Sequence, residues 1–254
     1  TMSPPSPRRI FSGDSAVAYA WSYCQALERM TGTTVPLRAS WLRALALELE
    51  RIANHLGDLG ALGNDAGFAF GLAQFSRLKE HLLRATQQAL GQRYLLDLVV
   101  PGGTRNDLAP AGAAGLDECI VQLTDEVTVL RGIYEEHTGL RDRFAGAGAV
   151  LPDLAAWLGR VGLAGRASGQ ALDLRVDTAC VPYDELAVRR CTQQDGDVLA
   201  RVTLRFDELA ESVRLLRRIL RAMPSGEYAV AVPVPEPGAV GVGLIEAWRG
   251  PVVT

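Results

Sequence analysis

Lysine is almost missing from this 254-residue sequence: Lys79 is the only one, and the rest of the positive charge is arginine. The arginines scatter over every predicted element, which marks a compositional habit. With 26 basic and 29 acidic residues well mixed along the chain, the net charge of -3 leaves no electrostatic footprint for nucleic acid. Long apolar runs are missing too. No uninterrupted stretch approaches the roughly 20 residues that span a bilayer. Apolar residues nevertheless make up 48% of the chain, so a globular protein with a sizeable core is expected. The stretch from Met2 to Arg9 is rich in proline and has no apolar centre, which excludes a signal peptide and points to a cytoplasmic location.

Metal-ligating and nucleophilic patterns are equally scarce. Cys24, Cys119, Cys180 and Cys191 are widely spaced and none falls in a C-x-x-C pair, so neither a zinc nor an iron-sulfur site is visible. The expected fate of such thiols is burial as small apolar groups. The three histidines, His55, His81 and His137, are too scattered for a catalytic triad, and His81 on a charged helix reads as surface. No glycine-rich nucleotide loop is present either.

What the sequence does contain is helical periodicity. Between Pro36 and Leu59 the residues Leu42, Leu45, Leu49, Ile52, Leu56 and Leu59 recur at spacings of three and four, the seam of a bundle helix. Further helices are predicted over Ser15–Met30, stopped by Gly32, over Gly71–Leu90, stopped by Gly91, over Ala113–His137 and over Val202–Ala222. Pro101, Gly102 and Gly103 break the pattern between the third and fourth. A small strand is expected around Asp184–Arg190, and two more over Tyr228–Val234 and Val240–Ile245 with a turn at Pro235–Gly238. The expected architecture is mainly α: a bundle of long helices, with its core over about residues 12–222, and a small β appendage over about 227–254. Residues 1–254 are read as one domain. Because Thr254 falls within an expected strand, the chain is taken as the central piece of something longer.

Beside the seam of the second helix, Glu48, Arg51, His55 and Asp58 form a polar stripe. Such residues pair at i,i+3 and i,i+4 for a few tenths of a kcal/mol, so the plain reading is a solvated or interfacial salt-bridge ladder. The stripe leads into Gly57, Gly60, Gly63, Asn64, Asp65 and Gly67, where glycine permits close approach of another backbone or a ligand. Asp65 sits among apolar neighbours and must find donors or have its pKa raised; a helix-end or turn role suits it and Asn64. Ahead of the first helix, Ser12 or Asp14 is a candidate N-cap.

Ordered motifs extend this reading. Glu48-Leu49-Glu50-Arg51-Ile52-Ala53-Asn54-His55-Leu56, Asp65-Ala66-Gly67, Gly91-Gln92-Arg93, Pro101-Gly102-Gly103, Arg166-Ala167-Ser168-Gly169 with Asp173 and Arg175, Gly196-Asp197-Val198 and Glu246-Ala247-Trp248-Arg249-Gly250 follow one another along nearly the whole chain. In this order they resemble the large subunit of energy-converting, formate-hydrogenlyase-type nickel-iron hydrogenases and its relative in complex I, the quinone-site (D) component of NADH:quinone oxidoreductase. Active hydrogenases of that family carry an R-x-C-G-x-C pair followed by a histidine; here the same place reads Ser12-Gly13-Asp14-Ser15, with Tyr19 at the histidine position. Serine oxygens are poor ligands for a soft, thiolate-bridged metal pair, so no metal is expected. The complex I relative has also lost the metal and holds a quinone head group in the vacated cavity, with a tyrosine that falls at about Gly13 here.

The resemblance therefore implies a cavity framed by Ser12, Gly13, Ser15, Tyr19, Asp65 and Arg249, with His55 in the bundle beside it. It implies no cofactor held by this chain alone, but a quinone and a [4Fe-4S] cluster carried by a small partner subunit, seated on the Gly57–Gly71 side. Membrane subunits would be indirect partners, and the assembly would sit at the inner face of the cytoplasmic membrane. The alternatives are a working hydrogenase component and a scaffold or assembly protein without chemistry.

Overall fold

The structure, a computed structural model, describes residues 13–254, so Ser12 and the Met2–Arg9 stretch lie outside the described residues. Helix α1 (Ala16–Thr31) buries Val17, Ala20, Trp21 and Cys24, the i, i+3, i+4, i+7 set of an amphipathic helix. It stops at Gly32, whose φ of 63° is a left-handed conformation that L side chains rarely adopt. Its N-cap is Ser15, whose side chain makes no capping bond. Instead the Glu50 carboxylate, reaching from the next helix, accepts the N–H groups of Val17 at 2.7 Å and Ala18 at 3.3 Å. The cap is tertiary: the N-cap position falls on Ser15 and not on Asp14, while Ser12 lies outside the described residues.

Helix α2 (Leu37–Asp65) runs past the expected end at Leu59 and carries its glycines inside the helix. They are spent on close packing against α3 (Ala69–Leu90) and α4 (Pro110–Glu136). A Cβ on Gly60 would crowd Phe75 at 3.2 Å, and one on Gly63 or on Gly71 would fall on the Tyr134 hydroxyl. That hydroxyl donates to the Leu59 carbonyl at 2.9 Å. The glycine-rich side is thus turned inward, while Phe70 and Leu72 stay exposed beside it. In α4 the buried residues Leu116, Ile120, Leu123, Val127, Leu130 and Tyr134 alternate spacings of four and three.

Between α3 and α4 the strands β1 (Val99–Val100) and β2 (Gly103–Thr104) make an antiparallel hairpin around Pro101 and Gly102. Four short helices follow: α5 (Thr138–Phe144), α6 (Pro152–Trp157), α7 (Gly162–Arg166) and α8 (Leu174–Asp177). Helix α9 (Val198–Ala222) starts four residues before the expected Val202, because Asp197 caps it by accepting the Ala200 N–H at 2.7 Å. It packs on α2, and residues on most of its circumference are buried, Leu204, Glu208, Leu209, Leu215 and Leu216 among them. The result is mainly α, a bundle of long helices with small β elements.

The β expectations need correction. Asp184–Arg190 forms turns and irregular backbone, with the Arg189 N–H bonded to the Glu211 side chain at 2.8 Å rather than to a ladder. Residues 228–243 form no strand beyond one bridge of Ala229 to Gly103, although the expected turn is present, with the Ala239 N–H bonded to the Glu236 carbonyl at 3.1 Å. Pro233, Pro235 and Pro237 lack the N–H that pairing requires. The hairpin forms later, from β3 (Leu244–Glu246) and β4 (Pro251–Val253), with Ile245 opposite Val252. It lies on α1, held by Gln25 to the Leu244 N–H at 2.7 Å and by Ser22 to Thr254 at 2.8 Å.

Candidate functional site

The turn between β3 and β4 carries Trp248 and Arg249 toward the start of α1. Arg249 lies on the outside, with its Nη2 at 2.7 Å and Nε at 3.0 Å from one Asp14 carboxylate oxygen, and its guanidinium 4.2 Å from the Trp248 ring centroid. Around this pair opens a cavity of about 220 Å³, lined by Asp14, Ser15, Tyr19, Val161, Arg249 and Val252, among others. Asp14 is also a partition. Its backbone carbonyl accepts from Asn54 at 2.6 Å, and on its other side a second cavity of about 130 Å³ is lined by Gly13, Glu50, Asn54, Lys79 and Tyr94. Glu50 is half-buried; burial pushes its carboxyl up to about 8, with Asp14 adding to the rise against the two α1 amides and Arg51.

Behind the hairpin turn lies a cluster of charged side chains, each no more than 4% exposed: Glu48, Arg51, Arg166, Asp173, Arg175, Glu208 and Glu246. Arg51 donates to Glu208 at 2.8 Å and to the Ala247 carbonyl at 2.8 Å. Arg166 bridges Glu208 and Glu246, at 2.7 Å to each. Arg175 forks onto Asp173 and reaches Glu48 at 3.2 Å, and the Tyr183 hydroxyl donates to Glu48 at 2.7 Å. Burial works to raise Glu208, but Arg166, His55 and Arg51 outweigh it and hold its carboxyl well below the usual range. His55 is fully buried, with Nε2 3.4 Å from Glu208 and its ring edge-on to Trp248 at 6.0 Å; burial keeps its pKa below the ordinary value.

The polar stripe is therefore no solvated ladder. Glu48, Arg51 and His55 are interior, because α9, α7, α8 and β3 deliver partners from all sides; Asp58 alone is half-exposed, paired with Arg205. Of the residues expected at one cavity, Ser15, Tyr19 and Arg249 share it, Gly13 lines its neighbour, and His55 lies behind Trp248. Asp65 stands apart: it is exposed at the end of α2, ten residues beyond His55, which is about 15 Å along the axis. The periodicity that made α2 long also carries Asp65 away. Residue-level reading missed Glu50 and Glu208. Glu208 was detectable as a carboxylate in the apolar row Leu204, Glu208, Glu211, Leu215 of α9. Cys24 is buried, and burial pushes the Cys180 and Cys191 thiols up to about 11 and about 12.

Comparison with known proteins gives the family and the fold. The chain is 30% identical over 236 residues to the carbon monoxide-induced hydrogenase of Rhodospirillum rubrum, covering 91% of this chain and 64% of that protein. It is 30% identical over 238 residues to formate hydrogenlyase subunit 5 of Escherichia coli, covering 94% and 42%. Against the D component of the NADH-quinone oxidoreductase of Thermosipho melanesiensis it is 30% identical over 222 residues, covering 86% and 59%. The chain thus spans about half the length of the curated relatives it matches. The fold matches a chain of the membrane-bound sulfane sulfur reductase, an archaeal respiratory membrane complex, with a TM-score of 0.83 over 97% of this chain and 72% of that one, at 24% identity. The family model for the 49 kDa subunit of respiratory-chain NADH dehydrogenase matches residues 65–238, more than half of the sequence. The chain, with its glycine-packed bundle and its hairpin-borne arginine, belongs to the respiratory-chain NADH dehydrogenase 49 kDa subunit family.

Proposed function

We propose that this chain forms one wall of a redox cavity in a membrane-associated oxidoreductase complex, at the cytoplasmic face, and that the cavity takes a quinone head group. The observation that carries the reading is the meeting of Ser15 and Tyr19 with Arg249 across residues remote in sequence. In the family resemblance these are the places of a metal-binding cysteine, a histidine and the arginine beside them. A cationic guanidinium and two hydroxyls offer donors to a carbonyl oxygen that gains negative charge on reduction, while Val161 and Val252 supply apolar contact. The same donor set does not fit a nickel-iron pair. Ser15 Oγ faces the Asp14 carboxylate at 3.4 Å, and both are hard oxygen groups.

Quinone chemistry needs electrons from outside this chain, so a subunit carrying a [4Fe-4S] cluster is the proposed partner, with membrane subunits beyond it. Among the described residues no helix is long and apolar enough to cross a membrane. The apolar row Leu151, Leu154, Trp157, Leu158 and Val161, with Trp157 81% exposed, adjoins the cavity through Val161 and is a surface that a neighbouring subunit would cover.

The test is purification of the full-length protein with its neighbours from the native host, followed by metal analysis, quinone-analogue binding and hydrogen-uptake assay. The expected result is an iron-sulfur partner, quinone-analogue binding and no nickel. Stoichiometric nickel with hydrogen uptake overturns the reading in favour of a working hydrogenase. A protein that elutes alone and binds no quinone analogue favours the scaffold.

A further inference from the structure

The buried cluster does not balance. Four carboxylates, Glu48, Asp173, Glu208 and Glu246, face three guanidiniums, Arg51, Arg166 and Arg175, all sealed from water. The charged groups at its edge are already matched: Arg205 on α9 with Asp58 on α2, and Glu211 on α9 with Arg214. The other titratable groups facing it are His55 and Glu50 on α2, the latter beside Arg51 with its carboxyl pushed up to about 8 by burial, and Tyr183, Cys180 and Cys191 on the loops, and none of these brings a fixed positive charge. An unmatched charge in such an interior costs several kcal/mol, and the cheap remedy is a bound proton.

Hydrogen bonding indicates where that proton sits. Both oxygens of Glu208 accept from arginine, Oε1 from Arg166 and Oε2 from Arg51. Asp173 is forked by Arg175 on both oxygens. Glu48 holds Arg175 and the Tyr183 hydroxyl. Among the described residues Glu246 has a guanidinium on Oε1 alone, and its Oε2 has only the Leu174 N–H, at 3.3 Å. A protonated His55 would need acceptors on both nitrogens, and Nδ1 has none among the described residues. Beside Glu246 a cavity of about 10 Å³, lined with Arg175, Cys180 and Tyr183, has room for about one water to take a hydrogen bond from a carboxylic acid.

We propose that Glu246 is an internal proton-binding site, carrying at neutral pH the one dissociable proton that neutralises the buried cluster, directly behind the wall of the Arg249 cavity. Burial raises its carboxyl in the same direction, against the pull of Arg166. Glu246 is one residue from Ala247 and three from Arg249, both of which line that cavity, so the proton is stored within a few residues of the site where reduction would consume protons. The charge count is that of the described residues and does not depend on what occupies the cavity.

Difference infrared spectroscopy of the full-length protein in its complex, Glu246→Gln minus wild type at about pH 7, reads the protonation state directly. The expected result is loss of one carboxylic-acid C=O band, with the carboxylate bands unchanged; loss of carboxylate bands instead overturns the proposal. Should E246Q fail to assemble, carboxyl-13C glutamate labelling of Glu50→Gln keeps the question open to decision. A carboxylic-acid resonance persisting in E50Q supports an internal proton, and a spectrum of carboxylates alone overturns it.

Discussion

The carboxylate of Glu50, in the middle of α2, accepts the backbone N–H of Val17 at 2.7 Å and so caps a helix 33 residues earlier in the sequence. Its raised pKa, about 8 against 4.5 for an ordinary glutamate, means that the folded state binds the proton more tightly than the unfolded chain does. The associated stability is fully present below about pH 4.5 and is lost as pH rises through about 8. Glu50→Gln keeps an acceptor for the amides and removes the titration. Chemical denaturation from pH 5 to 9 is expected to show wild type losing on the order of 1 to 2 kcal/mol more than E50Q, below the full linkage of the shift because the carboxyl opens onto a cavity. Parallel profiles would refute the raised pKa of Glu50.

Arg51 is sealed between Glu208, Glu48 and the Ala247 carbonyl. Arg51→Leu leaves Glu208 to Arg166 and Glu48 to Arg175 and Tyr183, uncovers the Ala247 carbonyl and deepens the negative excess of the buried cluster, so a destabilisation of about 3 to 5 kcal/mol is expected from urea titration. A loss under about 1 kcal/mol would be the signature of an exposed pair and would contradict its burial.

The hydroxyl of Tyr134 occupies the space that a side chain on Gly63 or Gly71 would need. Gly63→Ala is expected to destabilise by about 1 to 3 kcal/mol through overpacking, despite the better helix propensity of alanine. Adding Tyr134→Phe clears the oxygen and should recover part of that loss. Thermal melts of the two singles and the double close the cycle, and additivity would sink the close-contact account.

Arg249 is mostly exposed and its ion pair with Asp14 is a surface one. Arg249→Ala is expected to change stability by under about 1 kcal/mol, while quinone-analogue binding by the purified complex falls at least about tenfold, a loss of ~1.4 kcal/mol or more. Unchanged affinity would remove Arg249 from the proposed site.

The Cys180 and Cys191 thiols are pushed up to about 11 and about 12 by burial first and by neighbouring carboxylates second. Since only thiolate reacts, both are expected to alkylate far more slowly than a free cysteine at pH 8. Mass spectrometry of iodoacetamide-treated native protein checks this, with complete labelling within minutes as the contrary result.

Periodicity made most of the helices legible, because an amphipathic seam is a local property: the Leu42–Leu59 row in α2 and the terminating Gly32 and Gly91 needed no partner to be recognised. Asp184–Arg190 was misread because valine-bearing and alternating segments become strands only where another backbone offers its N–H and C=O groups, and here Glu211 answers instead. The place of the first hairpin strand was set the same way: three prolines cannot enter a ladder, so pairing waited for Leu244–Glu246.

The sequence by itself determined the long helices, their apolar faces and, through ordered motifs, the family. Only the tertiary structure decided that Glu48, Arg51 and His55 are interior rather than solvated, that Glu50 caps α1, and that Arg249 lines one cavity with Tyr19 while Asp65 does not. Charge burial is the property of an assembly of elements: Arg166, Arg175, Glu208 and Glu246 come from four different ones, and no local pattern states which side chains will share their dry interior.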